Sequence, residues 1–174
     1  FSPSGTVRLL WYGGAGNLDS LEACLRQLAG MEQVDMELEV VCNETEVAAA
    51  IVKQVFGSRK KGGSRKNEIP CHCLDWSEDV QDQALERTDI VLIPSLPTPD
   101  KLVKGHNRLV QAIHAGRLAL AYPLPQYREL EDSCWCGEDF AEGLAWALDH
   151  PKEALDRIEK GQHTIDGRFS PEAV

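Results

Sequence analysis

Five short apolar runs alternate with segments of helical periodicity along the chain. Buried strands have such runs, and here they lie at Val7–Tyr12, Leu38–Cys42, Ile69–Leu74, Ile90–Pro94 and Leu118–Tyr122. Strands that are apolar throughout and alternate with helices form parallel sheets covered on both faces. Because crossovers between such strands are right-handed, the pattern predicts a doubly wound α/β fold with three αβα layers.

The segments between these runs predict the helices. In the first, Leu18, Leu21, Leu25 and Leu28 recur at helical spacing, with Asn17 or Asp19 as a possible cap. The later helices are predicted over Asn43–Phe56, Ser77–Arg87, His106–Ala115 and Cys136–His150, the last continuing over Lys152–His163. In the second helix the predicted inner face is Val47, Ala50, Ile51 and Val55. The basic stretch Ser58–Asn67 is predicted to be a loop.

Composition limits the class of protein. The 174 residues suit a single domain over 1–174, and the net charge of −10 disfavours binding to nucleic acid or anionic membranes. The sequence holds no apolar run of about 18 residues, so we expect no transmembrane segment. The first residues lack the pattern of a secretory signal. Six cysteines, four of them in C-x-C pairs, are expected to be buried free thiols in a reducing cytoplasm rather than zinc ligands or disulfides.

The strongest candidate site is a basic cluster in this otherwise acidic chain. Ser95 ends the fourth strand, and Lys101, Lys104 and Arg108 follow it around the start of a helix. A helix N-terminus favours anions, and Lys and Arg are the donors that a diphosphate needs. Helical spacing places Lys104, Asn107, Arg108 and Gln111 on one face. The alternative is a solvated basic face without a ligand.

Two further loops carry weaker signals. Gly13-Gly-Ala-Gly-Asn17 follows the first strand and could approach a phosphate, but Asp19 stands where the dinucleotide fingerprint has its third glycine. A simple glycine turn is the alternative. Trp76 and Ser77 follow the third strand, where an exposed indole could stack on a nucleobase. The alternative there is a core tryptophan. We find no hydrolase triad, P-loop or metal-binding histidine pattern.

These motifs resemble the C-terminal, nucleotide-sugar-binding half of GT-B glycosyltransferases, near the family 4 group. The most specific part is Asp89-Ile-Val-Leu-Ile-Pro-Ser95, then the helix Asn107–Ala115 closed by Gly116 and the strand Leu118–Ala121. Lys104-Gly-His-Asn-Arg108 matches a Lys-x-x-Asn-Arg segment of one subgroup, and Phe169–Val174 resembles the segment before the final helix.

The resemblance implies a Rossmann-like domain that holds a nucleotide-sugar donor as substrate, with no separate cofactor or metal. Lys104 and Arg108 would stabilise the leaving diphosphate as the catalytic charges. The donor-binding residues would be Gly13, Gly14, Asn17, Trp76, Ser77, Ser95, Asn107 and Gln111. The two glutamates of the family, seven residues apart, would fall at Val103 and Gln111, and neither position is acidic here.

The expected function is therefore the donor half of a glycosyltransferase, inactive alone, whose acceptor site lies on an N-terminal GT-B domain of the parent chain. Two other classes stay open. Gly14-Ala-Gly16 with Glu44 after the second strand suggests an NAD-type domain, although a third glycine is missing. A flavodoxin-like receiver module would need acids after the first strand, where Gly13 and Gly14 stand, with Asp75 as the phosphorylated residue.

Overall fold

A six-stranded parallel sheet forms the centre of the molecule. The structure, a computed structural model, describes residues 5–57, 69–102 and 105–169. The strands are β1 (Val7–Tyr12), β2 (Met36–Cys42), β3 (Cys71–Asp75), β4 (Ile90–Ile93), β5 (Leu118–Ala121) and β6 (Trp135–Cys136). They are ordered β3-β2-β1-β4-β5-β6, and every pair is parallel. This is the Rossmann order, so the predicted fold class is confirmed.

Helices cover both faces of the sheet. They are α1 (Leu18–Leu28), α2 (Thr45–Phe56), α3 (Glu78–Arg87), α4 (Pro99–Leu102), α5 (Asn107–His114), α6 (Phe140–Asp149) and α7 (Pro151–Phe169). Short 3-10 segments lie at Ala15–Asn17 and Pro125–Ser133. One core layer joins the sheet to α1, α2 and α6, and the other joins it to α3 and α5. Helix α7 contributes to both core layers.

Alternate side chains of β1 feed the two layers, as the pleat of a strand requires. Leu9 and Trp11 belong to the first layer, while Leu10 and Tyr12 belong to the second. All four are buried. The strand is central and covered on both sides, which explains why the sequence reads as an uninterrupted apolar run.

Four elements were not predicted: α4, β6 and the two 3-10 segments. Helix α4 and the segment Pro125–Ser133 each begin at a proline and carry charged residues, and β6 has only two residues. Strand β6 forms because Trp135 packs against the backbone of Gly137 and Gly143, where an added Cβ would overlap the indole. The predicted helix start at Cys136 was therefore too early, and α6 begins at Phe140 behind the N-cap Asp139.

The predicted inner face of α2 was half right: Ile51 and Val55 pack half-buried against the core, whereas Val47 and Ala50 are exposed. Its buried residues are Ala48, Val52 and Phe56, whereas Val47 is 47% exposed. The i, i+4 spacing that ends at the bulky Phe56 sets the face, because Phe56 has the most apolar surface to remove from water. The predicted loop Ser58–Asn67 lies outside the described residues.

Candidate functional site

The strand order reverses between β1 and β4, and this is where the candidate site lies. Strand β1 is followed by α1, which packs in one layer, and β4 leads to α5, which packs in the other. In open α/β sheets such a reversal leaves a crevice beyond the carboxyl ends of the two strands, where ligands bind. The loops after Tyr12 and after Ile93 form its walls.

Arg108 crosses this crevice from α5 to β1. Its Nη1 donates to the backbone oxygen of Tyr12 at 3.3 Å. The same nitrogen would lie 3.4 Å from a Cβ added at Gly13, and the Trp11 ring would lie 3.2 Å from that Cβ. Gly13 therefore leaves the space through which the guanidinium reaches the end of β1. A basic group and the glycine loop thus share one edge of the sheet.

Tyr12 links β1 to α5. Its hydroxyl lies 3.1 Å from the backbone oxygen of Arg108 and 3.3 Å from Oε1 of Gln111, so it can donate to either. Burial raises the pKa of Tyr12, although the nearby Arg108 charge opposes that effect. Burial likewise raises the pKa of Tyr127, against a hydrogen bond and charge from Arg108. The two tyrosine side chains therefore stay neutral. They hold the start of α5 in place and leave the positive charge of Arg108 unneutralised.

The glycine loop offers open backbone at the end of β1. The N–H of Gly13 donates to Val41 at 3.1 Å, which continues the pairing of β1 with β2. Gly14, Ala15 and Gly16 are exposed. Asn17 N–H donates to Gly14 at 3.0 Å and closes the 3-10 turn. Asn17 is the N-cap residue of α1 but caps it without a side-chain hydrogen bond.

Lys101 does not join the basic cluster that the sequence suggested. It is buried, and its Nζ donates to Oδ1 of Asp19 at 2.9 Å and to Oγ of Ser20 at 2.8 Å. Asp19 Oδ1 also accepts the Ser20 N–H at 2.7 Å. Burial favours the protonated acid, but the hydrogen bonds and charge of Lys101, together with Ser20, outweigh it and lower the pKa of Asp19. Asp19 is thus an ionised group in the first turn of α1.

Trp76 and Ser77 lie at the end of β3. The Trp76 side chain is half exposed, and its Nε1 donates to Oε1 of Gln81 at 3.0 Å. Ser77 is the N-cap of α3, and its hydroxyl accepts the Val80 N–H at 3.2 Å. The indole is therefore oriented by its N–H while much of its surface stays accessible.

The remaining predicted residues differ in how exposed they are. Ser95 is buried, and its hydroxyl lies 3.4 Å from the Leu96 oxygen. Asn107 and Gln111 are exposed on α5. Lys104, predicted to be catalytic, lies outside the described residues, as does Val103. The structure thus brings Gly13, Arg108 and Gln111 together around the end of β1.

Sequence reasoning missed Tyr12 and Tyr127 as partners of α5. Tyr12 is the last residue of a predicted strand and so lies next to the carboxyl edge of the sheet, and this was the available signal. Tyr127 lies in the 3-10 segment, and we find no signal that marks it.

A cleft of about 470 Å³ lies at the opposite, amino edge of the sheet. Its lining includes Arg8, Glu37, Glu39, His72 and Arg87. Arg87 and Glu39 form an ion pair with each other, and Arg8 is paired with Asp89. Because the charges of these two arginines are already matched, and because ligands bind beyond the carboxyl ends, this cleft is not part of the candidate site.

Within 5–57, 69–102 and 105–169, His, Cys, Asp and Glu side chains form no group of three or more suited to a metal ion. Across the same ranges, no helix has the length and apolar content to cross a membrane. All six cysteines are free, and Cys24, Cys42 and Cys134 are buried while the other three are half-buried.

Solved structures with the same architecture include several glycosyltransferases. The chain aligns over 98% of its length with a glycosyltransferase from Rickettsia africae ESF-5, at a TM-score of 0.74 and 14% identity, covering 45% of that protein. It aligns over 96% of its length with the C-terminal domain of a group 1 family glycosyl transferase from Francisella tularensis, at a TM-score of 0.69 and 11% identity, covering 88% of that domain. A UDP-forming alpha,alpha-trehalose-phosphate synthase from Burkholderia vietnamiensis gives a TM-score of 0.67 at 13% identity, over 95% of this chain and 41% of that one.

These likenesses define the class of fold. The chain has the fold of the C-terminal, Rossmann-like domain of GT-B glycosyltransferases, as the resemblance predicted. It spans less than half of the two longer proteins and most of the isolated C-terminal domain. No protein-family model matches the sequence, and no curated protein matches it.

Proposed function

We propose that this chain is the donor-binding domain of a glycosyltransferase and binds a nucleoside-diphosphate sugar. The observation that carries the proposal is the Arg108 guanidinium, 3.3 Å from the backbone oxygen that ends β1 and directly beside Gly13. A cation fixed at the reversal point of a Rossmann sheet suits a diphosphate in the crevice. The fold shared with glycosyltransferase domains supports glycosyl transfer as the class of reaction.

The diphosphate would occupy the crevice between the glycine loop and α5. Gly14 and Asn17 would border it from the β1 side, and Arg108 from the α5 side. Lys104 would add a second cation. In glycosyl transfer the nucleoside diphosphate leaves with increasing negative charge, so a cation already fixed at this place stabilises the transition state more than the bound donor. Arg108 and Lys104 are the proposed catalytic residues.

The nucleobase would lie toward β3. Strands β1 and β3 are separated by β2, so their ends are about 10 Å apart at the usual strand spacing. A nucleoside diphosphate is long enough to reach from Gly13 to Trp76. Stacking on the exposed indole is worth about 1–3 kcal/mol for a base, and the Ser77 cap holds the loop that presents it.

The polar side chains around α5 would contact the sugars. Tyr12 fixes the carboxamide oxygen of Gln111 at 3.3 Å, which leaves the amide N–H groups as donors for a ribose hydroxyl. Asn107 and Ser95 would contact the transferred sugar or the adjacent phosphate. The acceptor and any catalytic base would come from an N-terminal domain, so we expect the isolated chain to bind a donor without turnover.

Calorimetric titration with UDP and with GDP tests the proposal. One of the nucleotides should bind the wild-type chain, and Arg108→Ala should weaken it about 10- to 100-fold, because a hydrogen bond to a charged group contributes about 1.5–3 kcal/mol. The matched control is Arg26→Ala, which removes an exposed arginine paired with Glu22 in the last turn of α1. Equal binding by wild type and Arg108→Ala would remove Arg108 from the site.

A further inference from the structure

The segment after β4 and the first turn of α1 are joined by an ion pair whose cation is buried. Lys101, in α4, donates to Asp19 at 2.9 Å and to Ser20 at 2.8 Å. The Lys101 side chain is 5% exposed, whereas that of Asp19 is 55% exposed. The cation is therefore buried behind the carboxylate, and the carboxylate is the part that faces solvent.

Asp19 places a negative charge beside the proposed diphosphate site. It lies two residues after the 3-10 turn of the glycine loop and accepts the Ser20 N–H at 2.7 Å. The start of a helix favours one anion, and here a side chain of the protein is that anion. A diphosphate in the adjacent crevice would be repelled by the Asp19 carboxylate, because water and salt screen the repulsion between neighbouring negative charges only in part.

We propose that Lys101 is a positioning residue of the donor site, which neutralises Asp19 and thereby lets a diphosphate bind beside it. This inference rests on the proposed function. The pair also fixes the glycine-loop wall of the crevice to the β4 wall, because Asp19 follows β1 and Lys101 follows β4. Gln126 supports α4 from behind, with Nε2 3.4 Å from the Lys101 backbone oxygen.

Charge neutralisation and simple bracing predict different results for Asp19. If Lys101 acts through charge, Asp19→Asn removes the repulsion and leaves the ammonium in place, so nucleotide should bind roughly three- to tenfold more tightly. Lys101→Met leaves the carboxylate unmatched, so binding should weaken by a similar factor. The double variant should return close to wild type. If the pair is only a brace, both single variants weaken binding and the double variant does not recover.

The experiment is calorimetric titration of the four proteins with UDP, GDP and inorganic pyrophosphate, at low and at physiological salt. The opposite shifts of the single variants should shrink as salt is added. The control is Asp132→Asn, which makes the same change in net charge at an exposed pair with Lys160, just before β6 at the amino edge. It should leave binding unchanged.

The outcomes separate the two proposals. If neither nucleotide binds the wild type, the proposed function is wrong, and pyrophosphate then decides the present inference: the same order of variants supports it, and no binding or no order overturns it. If nucleotide binds but Asp19→Asn binds no more tightly than wild type, the inference is wrong and the proposed function stands. Thermal melts accompany each titration, and if Lys101→Met fails to fold, Asp19→Asn decides alone.

Discussion

The ion pair between Arg8 and Asp89 ties β1 to the start of β4 at the amino edge of the sheet. Asp89 Oδ2 accepts the Arg8 backbone N–H at 2.9 Å and Nε at 3.0 Å, while Oδ1 accepts Nη2 at 2.7 Å. Asp89→Asn keeps the shape of the side chain but removes the charge and turns one acceptor oxygen into a donor. That donor would face the guanidinium.

The magnitude follows from the geometry and the exposure. Hydrogen bonds to charged groups contribute about 1.5–3 kcal/mol when buried, and exposed ion pairs about 0–1 kcal/mol. Asp89 is 16% exposed but Arg8 is 48% exposed, so we expect the substitution to lower the free energy of unfolding by about 2 kcal/mol in total. For a chain of this length that corresponds to a fall of about 4–8 °C in Tm.

The assay is thermal unfolding followed by circular dichroism at pH 7 and at steps down to pH 3. Although burial opposes it, bonding to Arg8 lowers the pKa of Asp89 below the ordinary 3.8. Because the unfolded chain then takes up the proton first, this contribution is present above the unfolded pKa and is lost as pH falls through the folded pKa. The difference in Tm between wild type and Asp89→Asn should therefore become smaller as the pH falls toward 3.

The control for this test is again Asp132→Asn, whose partner Lys160 is at 2.8 Å but where both side chains are more than 60% exposed. It should leave Tm unchanged. The expectation is wrong if Asp89→Asn has the same Tm as the control. It is also wrong if the Tm difference between wild type and Asp89→Asn stays constant down to pH 3.

Two further predictions concern the core. Gly143→Ala should lower stability by about 1–3 kcal/mol in urea unfolding, because its Cβ would lie 2.7 Å from the Trp135 ring; Gly16→Ala, with nothing within 4 Å, should be near neutral, and equal midpoints would contradict the packing. Burial raises the pKa of Cys24, whereas the hydrogen bond from Cys71 lowers that of Cys73. A disulfide reagent followed by mass spectrometry should therefore modify Cys73 in the folded protein but Cys24 only on unfolding, and equal rates for these two thiols would count against this.

Much of the fold could be predicted because its strands are buried on both faces. Val7–Tyr12 was predicted to the residue, since it is central and apolar throughout. Strand β6 could not be predicted, because its two residues carry no period and are held by Trp135 against glycines several positions on. The face of α2 was misjudged in part because most positions of this helix are apolar. Only tertiary packing then determines which of them are buried.

The candidate site could be predicted where the position of a residue in the fold determines where its side chain points. Arg108 lies in the first turn of a helix that follows a central strand, and its guanidinium does lie at the carboxyl edge. Lys101 was misjudged because its partner Asp19 is 82 residues away in sequence. A local cluster of basic residues carries no information about a distant carboxylate, so the ion pair of Lys101 with Asp19 could not be predicted.

The two edges of the sheet both limit pairing with strands of other molecules. Strand β6 pairs over only two residues, so it offers little ladder for a strand of another molecule to extend. Strand β3 is longer, but exposed His72 and Asp75 interrupt its polarity pattern. Short or polar edges hinder the strand addition that leads to aggregates. Concentrated samples of this protein should therefore resist β-type self-association even though the interior of its sheet is almost wholly apolar.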